Sequence, residues 1–276
     1  MRKIFVLVLT LTTAWATSSM ARGNASGPET VAVASGALTL HGLLWRPPGA
    51  GPFPAVLFNH GSGPTSDPGK PAALGPVFAR HGYLFLYLYR RGAGLSADQG
   101  TDSEALMNAP RADTGEEGRN EVQLQLLETE LGDVLAGVTF LGARPDVDAQ
   151  RIAAAGHSFG GQLTLLLAER GAGIRAAVVF GPAAVSWTLS PKLRTRLLAA
   201  ADHTDIPVLF IHAANDFSVE PGRALAAEMS RLHKPGLLKL YPAVGRSARE
   251  GHDFVYSGLS TWEPDVFTFL DEHLRR

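Results

Sequence analysis

The clearest candidate for a chemically reactive residue in this sequence is a serine that lies between glycines. Residues 156–161 are Gly-His-Ser-Phe-Gly-Gly, which places Ser158 in a Gly-x-Ser-x-Gly pattern. A short apolar stretch, 152–155, precedes the pattern, and an amphipathic segment follows from about Gln162. A sharp turn from strand to helix exposes the side chain at the turn, where glycines relieve crowding. The pattern therefore predicts Ser158 as a nucleophile; the alternative is a serine that only caps the next helix.

A serine hydroxyl needs a neighbouring base, and histidine is the usual one near neutral pH. Among nine histidines, His252 has the best position, in a polar loop after the last predicted strand and before the last predicted helix. We expect His157, beside the serine, to have a packing or support role. The remaining candidates are expected to be surface or packed histidines: His41, His81, His203, His212, His233 and His273.

The base in turn needs a carboxylate that holds its ring. Asp216 follows the predicted strand 208–212 by a few residues, at the strand edge where ligands bind in parallel sheets. Glu220 is the local alternative, and Asp253 is badly placed to bond the ring of its neighbour. Three further aspartates precede predicted strands and so belong to the opposite edge: Asp146, Asp148 and Asp205.

An attacked carbonyl also needs backbone N–H groups that stabilise its oxyanion. The residue after the nucleophile, Phe159, is expected to supply one. The second is assigned to Ser62, with Gly61 as the alternative, because the turn 60–63 is rich in glycine and follows an earlier buried strand. His60 is expected to brace this turn rather than to react.

The elements that must position these residues alternate along the chain. Apolar runs of four to eight residues are separated by longer helical patterns, which indicates a mostly parallel twisted sheet with helices on both faces. The sequence thus predicts an α/β fold in one domain over residues 22–276. Strands are predicted at 31–33, 38–45, 55–58, 84–89, 152–155, 176–180, 208–212 and 237–241.

Two segments interrupt this alternation. Residues 96–120 are polar and acidic without an apolar period, which predicts a long surface loop near the site. Residues 182–205 are expected to form a small, partly helical, cap-like excursion. Trp187 and Phe217 are candidate apolar walls for substrate, although ordinary packing is an equally good explanation of both.

The order Ser158, Asp216, His252 resembles the α/β-hydrolase superfamily. Within it, Asn59-His60-Gly61-Ser62-Gly63, Arg91-Gly92-x-Gly94-x-Ser96 and Val147-Asp148-x-x-Arg151-Ile152 resemble the dienelactone hydrolase-like and prolyl oligopeptidase-like branches. This resemblance implies an α/β-hydrolase fold with a minimal cap. Dienelactone hydrolases proper carry cysteine at the turn where this chain has Ser158, so their lactone hydrolysis is not expected. No stretch before the first predicted strand matches the propeller of the peptidase branch.

Composition restricts the setting of this chemistry. Hydrophobic residues make up 45% and charged residues 18% of the chain, as in a globular protein, and a net charge of −1 does not favour nucleic acid as a partner. Residues 1–21 have the basic start, apolar run and small residues of a signal peptide, with cleavage expected after Ala21 and an uncleaved anchor as the alternative. Export to the periplasm or the extracellular space follows.

These expectations combine into a secreted serine hydrolase that cleaves a carboxylic ester or related acyl bond of a small molecule through an acyl-enzyme. No cofactor and no metal are expected, and no stable membrane anchor. A peptidase or amidase of the same fold is the alternative enzyme. A non-catalytic binding protein of the same fold is the alternative from another class.

Overall fold

The computed structural model describes residues 27–63 and 67–275, so the predicted signal peptide lies outside the described residues. The strands are β1 Glu29–Ser35, β2 Leu38–Trp45, β3 Phe53–Asn59, β4 Leu84–Tyr89, β5 Val147–His157, β6 Ala176–Phe180, β7 Val208–Ala213 and β8 Gly236–Tyr241. The helices are α1 Gly69–Arg80, α2 Ser103–Asn108, α3 Arg111–Gly142, α4 Phe159–Glu169, α5 Pro191–His203, α6 Glu220–Arg231, α7 Ala248–His252, α8 Phe254–Ser257 and α9 Leu259–Leu274. None of these described helices combines the length and the apolar character that a membrane span requires.

The eight strands form one sheet in the order β1-β2-β4-β3-β5-β6-β7-β8. The pairs β1/β2 and β2/β4 are antiparallel, and every other neighbouring pair is parallel. The carboxyl ends of β3 to β8 therefore share one edge, where ligands bind in sheets of this kind. The predicted fold class, a mostly parallel sheet in an α/β protein, is confirmed.

Helices cover both faces of the sheet, which explains why β3, β4, β6 and β7 are buried at every position. One core lies between the sheet and the helices α3 to α6, with Val134, Leu163 and Leu197 fully buried. The second core lies under α1 and α9, with Leu74 and Trp262 fully buried. The two cores hold the central strands in a fixed plane.

The prediction of a surface loop at 96–120 is wrong. A 3₁₀ helix spans Gly94–Gln99, α2 follows, and α3 begins at Arg111, with a non-helical glycine at Gly115. The Asp102 side chain caps α2 by accepting bonds from the backbone N–H groups of Glu104 and Ala105. In α2, Met107 is the buried apolar side chain, so the apolar period that predicts a helix is missing from the sequence.

The prediction of a cap-like excursion at 182–205 also needs correction. Most of this segment is α5, which packs between α4 and α6. Its apolar side, including Leu193 and Ala200, is fully buried in the main core. The helix is therefore part of the layer that covers the sheet, and only the turns before it lie at the carboxyl edge.

We predict that Gly75→Ala destabilises the protein. Gly75 lies in α1 against the indole of Trp45, and a methyl group there would lie 2.1 Å from Trp45 Cδ2. Overpacking of a core costs about 1–3 kcal/mol. Thermal unfolding should show a lower Tm.

Gly132→Ala is the matched control, because Gly132 lies in α3 with open space around its Cα. Alanine is favoured over glycine in a helix by about 1 kcal/mol, so this variant should have an unchanged or higher Tm. An equal effect of the two substitutions would contradict the packing of α1 against β2.

Candidate active site

Ser158 occupies a strained turn between β5 and α4. Its backbone has φ 56° and ψ −117°, a region that costs a non-glycine residue about 1–3 kcal/mol. Its N–H donates to the carbonyl of Phe180, 2.8 Å away, which ties the turn to β6. The side chain makes no capping hydrogen bond to α4. The hydroxyl is thus not used as a helix cap, and it lines a cavity at the carboxyl edge of the sheet.

Two glycines make this turn possible. A methyl group on Gly160 would lie 2.0 Å from the carbonyl oxygen of Asn59, and one on Gly156 would lie 2.3 Å from the carbonyl oxygen of Gly160. Any larger residue at either position would push α4 away from β3 and β5. The glycines of the sequence pattern therefore permit the close approach of strand and helix.

His252 and Asp216 are brought together from two elements. His252 Nδ1 and Asp216 Oδ1 are 2.8 Å apart, and both side chains are buried. Because a carboxylate only accepts hydrogen bonds, Nδ1 is the donor, which leaves Nε2 as the free ring nitrogen. His252 lies at the end of the short helix α7 rather than in the predicted loop. Ser158 and His252 line the same cavity.

Glu220, the alternative acid, is placed differently. Its side chain is 63% exposed and lies 3.8 Å from Arg223, in the first turn of α6. Among the described residues, the carboxylate that hydrogen-bonds His252 is that of Asp216. The geometry supports Asp216 as the orienting acid.

A second buried histidine, His212, holds the other oxygen of Asp216. His212 Nδ1 lies 2.8 Å from Asp216 Oδ2, and its Nε2 has no hydrogen-bond partner among the described residues. This contact was missed from the sequence, where His212 was expected only to pack. The signal available was its place at the end of β7, four residues before the acid. Asp216 therefore accepts from imidazoles on both sides.

These two hydrogen bonds determine the charge of Asp216. Burial by itself would raise the pKa of this carboxyl, but the bonds from His212 and His252 outweigh it and lower the pKa to about 2. Asp216 is then ionised at any pH at which His252 could act as a base.

His157 supports His252. Its Nε2 lies 2.9 Å from the backbone carbonyl of His252, and the two rings are 4.7 Å apart. Burial and the neighbouring His252 lower the pKa of His157 well below its ordinary value. A neutral His157 that donates through Nε2 fits the expected support role.

The turn after β3 is held by Arg90, whose guanidinium is fully buried and paired with Glu130 at 2.7 Å. Arg90 donates to the carbonyl of His60 at 2.8 Å and to that of Gly61 at 3.4 Å. His60 Nδ1 also lies 2.7 Å from the Gly61 carbonyl. The C=O and N–H of a trans peptide point in opposite directions, so the Ser62 N–H points away from Arg90 and His60.

This geometry bears on the two predicted oxyanion donors. Ser62 lines the cavity, and its hydroxyl donates to Glu104 at 2.9 Å, which ties the turn to α2. Phe159 is the first residue of α4, where backbone N–H groups lack helical partners and the helix dipole favours negative charge. The Phe159 ring packs under the Arg90 guanidinium at 5.5 Å. One arginine thus contacts both sides of the expected oxyanion hole.

The cavity has a volume of about 420 Å³, and much of its wall is polar. Trp187 does not line it; this side chain is 6% exposed and belongs to the core on the α3 to α6 side of the sheet. Phe217 does not line it either; it is 44% exposed and its ring lies 5.4 Å from that of His252, on the outer side. The prediction that Trp187 forms an apolar wall of the cavity is therefore wrong. Phe217 lies at the rim of the cavity and not in its wall. The cavity-lining side chains that sequence reasoning missed include Lys70, Glu104, Arg119, Gln123, Gln162, Ser186 and Arg249.

The described residues contain no cluster of side chains that could bind a metal ion. Within residues 27–63 and 67–275, no group of three or more histidine, aspartate or glutamate side chains could hold a metal ion.

Solved structures share this architecture. Acylaminoacyl peptidase from Pyrococcus horikoshii matches with a TM-score of 0.63 and 17% identity over 88% of this chain, which spans only 42% of the peptidase chain. Est1E from Butyrivibrio proteoclasticus, solved with ferulic acid, matches with a TM-score of 0.65 and 18% identity over 89% of this chain and 100% of the esterase. Dienelactone hydrolase from Anabaena variabilis matches with a TM-score of 0.61 and 19% identity over 88% of this chain and 99% of that one. These likenesses show the α/β-hydrolase fold.

Sequence comparison adds the family. A search of curated proteins finds no match to this chain. The model of the dienelactone hydrolase family matches residues 40–257, a stretch that includes Ser158, Asp216 and His252. That stretch covers most of the chain, and its fold agrees with the solved structures. The chain therefore belongs to the dienelactone hydrolase family.

Proposed function

We propose that this protein is an exported serine hydrolase that cleaves a carboxylic ester through an acyl-enzyme. The observation that carries the proposal is the Asp216–His252 hydrogen bond of 2.8 Å beside a strained Ser158 on one cavity. An orienting acid, a base and an exposed hydroxyl on the same edge are the groups that acyl transfer requires.

Acylation begins when the Ser158 hydroxyl attacks the ester carbonyl. His252 Nε2 takes the hydroxyl proton as the Oγ–C bond forms, and ionised Asp216 stabilises the resulting imidazolium through Nδ1. The carbonyl oxygen becomes an oxyanion, which the N–H groups of Phe159 and Ser62 bind. His252 then gives its proton to the leaving alkoxide oxygen, and the alcohol departs.

Deacylation repeats these steps with water. His252 takes a proton from water, whose oxygen attacks the Ser158 ester, and the same N–H groups bind the second oxyanion. Collapse of this intermediate returns the proton to Ser158 Oγ and releases the carboxylic acid.

Two observations support an ester as the first candidate substrate. The cavity of about 420 Å³ suits a small or medium substrate. Solved relatives of the same fold include the esterase Est1E with ferulic acid and an esterase from Pyrococcus furiosus that covers 90% of this chain. Peptidases share the fold, so amide hydrolysis is the second candidate. A binding protein without catalysis would have no use for the strain at Ser158.

Export is part of the proposal because of residues 1–21. Their basic start, apolar run and small residues up to Ala21 match a signal peptide. The chain has no cysteine, so the fold does not depend on the redox state of the compartment. Mass spectrometry of the protein purified from cell fractions would show whether the mature chain begins at residue 22.

The first test is covalent labelling with a fluorophosphonate probe and peptide mapping. We expect the label on Ser158 and none on Ser158→Ala. Asp216→Asn should slow labelling because the His252 ring loses its orienting carboxylate.

Glu220→Gln is the matched control for Asp216→Asn, since Glu220 is the exposed alternative acid. It should label at the rate of the unmodified protein. A folded protein that stays unlabelled, or a slower reaction of the Glu220 variant alone, would overturn the assignment.

We predict that His212 acts through Asp216 as a positioning residue. His212→Phe keeps an aromatic ring, one atom larger than imidazole, but removes the N–H from which Asp216 Oδ2 accepts. A hydrogen bond to a charged group contributes about 1.5–3 kcal/mol, so kcat should fall roughly 10- to 100-fold. The KM for a test ester such as phenyl butanoate should stay unchanged.

His212→Asn retains an N–H near the position of Nδ1 and should recover most of the lost kcat. Both variants are compared at equal folded fraction, judged by thermal unfolding. If Asn and Phe reduce kcat equally, or if KM rises instead, His212 has only a packing role.

The lowered pKa of Asp216 predicts a pH dependence of stability. A carboxyl whose folded pKa is depressed stabilises the protein above its unfolded pKa, and that contribution is lost as pH falls through the folded value of about 2. The free energy of unfolding should therefore decline more steeply from about pH 4 downward in the unmodified protein than in Asp216→Asn. Denaturant titrations at several pH values measure the difference, and parallel declines would count against the two imidazole bonds.

A further inference from the structure

The floor of the cavity carries three polar side chains that the triad chemistry does not use. Gln123 on α3, Gln162 on α4 and Ser186 after β6 all line the cavity and are only 4%, 2% and 4% exposed. We propose that this polar floor binds an oxygen atom in the acyl group of the substrate, so that the protein prefers short acyl chains bearing an ether, hydroxyl or carbonyl oxygen. This inference rests on the proposed function.

The hydrogen bonds of the floor orient its amides. Arg119 Nη1 donates to Gln123 Oε1 at 3.5 Å, so the amide nitrogen of Gln123 faces the other way. That nitrogen donates to Gln162 Oε1 at 3.1 Å and to Ser186 Oγ at 3.2 Å. Both hydrogens of Gln123 Nε2 are therefore in use. Gln162 Oε1 is turned toward Gln123, and Gln162 Nε2 is turned away from it.

Donors remain open on this floor. Gln162 Nε2 has two hydrogens and Ser186 Oγ has one, and none of them has an acceptor among the described residues. Gln162 Nε2 is also not among the fully buried polar atoms that lack a hydrogen-bond partner in the described residues. Buried polar groups without partners are costly, and in ligand sites a few such groups fix the orientation of the ligand. We therefore expect the substrate to carry an oxygen atom that accepts hydrogen bonds from Gln162 Nε2 and Ser186 Oγ.

The position of Gln162 assigns this acceptor to the acyl group. Its N–H donates to the carbonyl of Ser158 at 3.1 Å, so it lies one helical turn from the residue that is acylated. In the tetrahedral intermediate the oxyanion points to the N–H groups of Phe159 and Ser62, and the leaving oxygen must face His252 on α7. The remaining substituent, the acyl chain, extends toward α3 and α4, where the polar floor lies.

A purely hydrocarbon acyl chain would leave these donors without partners. Sites built to hydrogen-bond a substrate discriminate strongly against analogues that lack the bonding atom. A methoxyacetyl group has the same number of heavy atoms as a butanoyl group but has an oxygen in place of one methylene. This pair isolates the acceptor from the size of the chain.

The experiment compares kcat/KM for phenyl methoxyacetate and phenyl butanoate in the full mature chain and in Gln162→Leu, Ser186→Ala and Gln125→Leu. For each protein, kcat/KM for phenyl methoxyacetate is divided by kcat/KM for phenyl butanoate. This ratio in a variant, divided by the same ratio in the unmodified protein, gives a quotient from which the different intrinsic reactivity of the two esters cancels. We expect this quotient to fall about 10-fold in Gln162→Leu and less in Ser186→Ala. Gln125 lies on the exposed side of α3, so its variant should leave the quotient at about one.

Each other outcome has a definite meaning. A quotient near one in Gln162→Leu and Ser186→Ala, with both esters hydrolysed, overturns the polar floor and leaves the esterase intact. If the effect appears instead between 2-methoxyethyl acetate and butyl acetate, the floor contacts the alcohol, and the acyl assignment is wrong. Hydrolysis of neither ester, with Ser158 unlabelled, overturns the proposed function itself. Ser186→Ala removes one atom, so it keeps the test valid if Gln162→Leu does not fold.

Discussion

The carboxylate of Asp216 accepts hydrogen bonds from two buried imidazoles, and the geometry of the whole site follows from this contact. His212 reaches it from within β7, and His252 reaches it from α7, so one carboxylate joins the sheet to α7. His157 supports the same helix end from β5 through the His252 carbonyl. Two donors overcome the cost of burying the charge, which keeps the acid ionised and the base in one tautomer.

The opposite side of the site depends on a buried ion pair. Arg90, paired with Glu130, holds the carbonyls of His60 and Gly61 and packs on Phe159. Removal of one member of such a pair costs about 3–5 kcal/mol because the other charge is left uncompensated. The turn after β3 is therefore held rigidly, and Phe159, the residue after the strained Ser158, packs against the same arginine. Strain such as that at Ser158 persists only where the surrounding structure enforces it.

The cavity between these two sides differs from an apolar acyl pocket. Its outer wall comes from α2 and the start of α3, and its floor comes from amides and a hydroxyl on α3, α4 and the turns after β6. Glu104 connects this wall to the turn after β3 through its hydrogen bond from Ser62, so α2 both lines the cavity and contacts that turn.

Local signals in the sequence were sufficient to predict the sheet, and they also provided the three residues of the proposed triad. The strands 84–89 and 176–180 have their predicted bounds, because short apolar runs in a buried parallel sheet are distinctive. Ser158, Asp216 and His252 were predicted because each follows a predicted strand along the chain, and the positions of the strands along the chain can be taken from the sequence. The helical nature of 96–120, the burial of Trp187 and the contact of His212 with Asp216 could not be predicted in this way. They depend on which side chains meet across α3, α4 and β7: Gln123 and Gln162 are 39 residues apart, and only the packing of two helices brings them into contact.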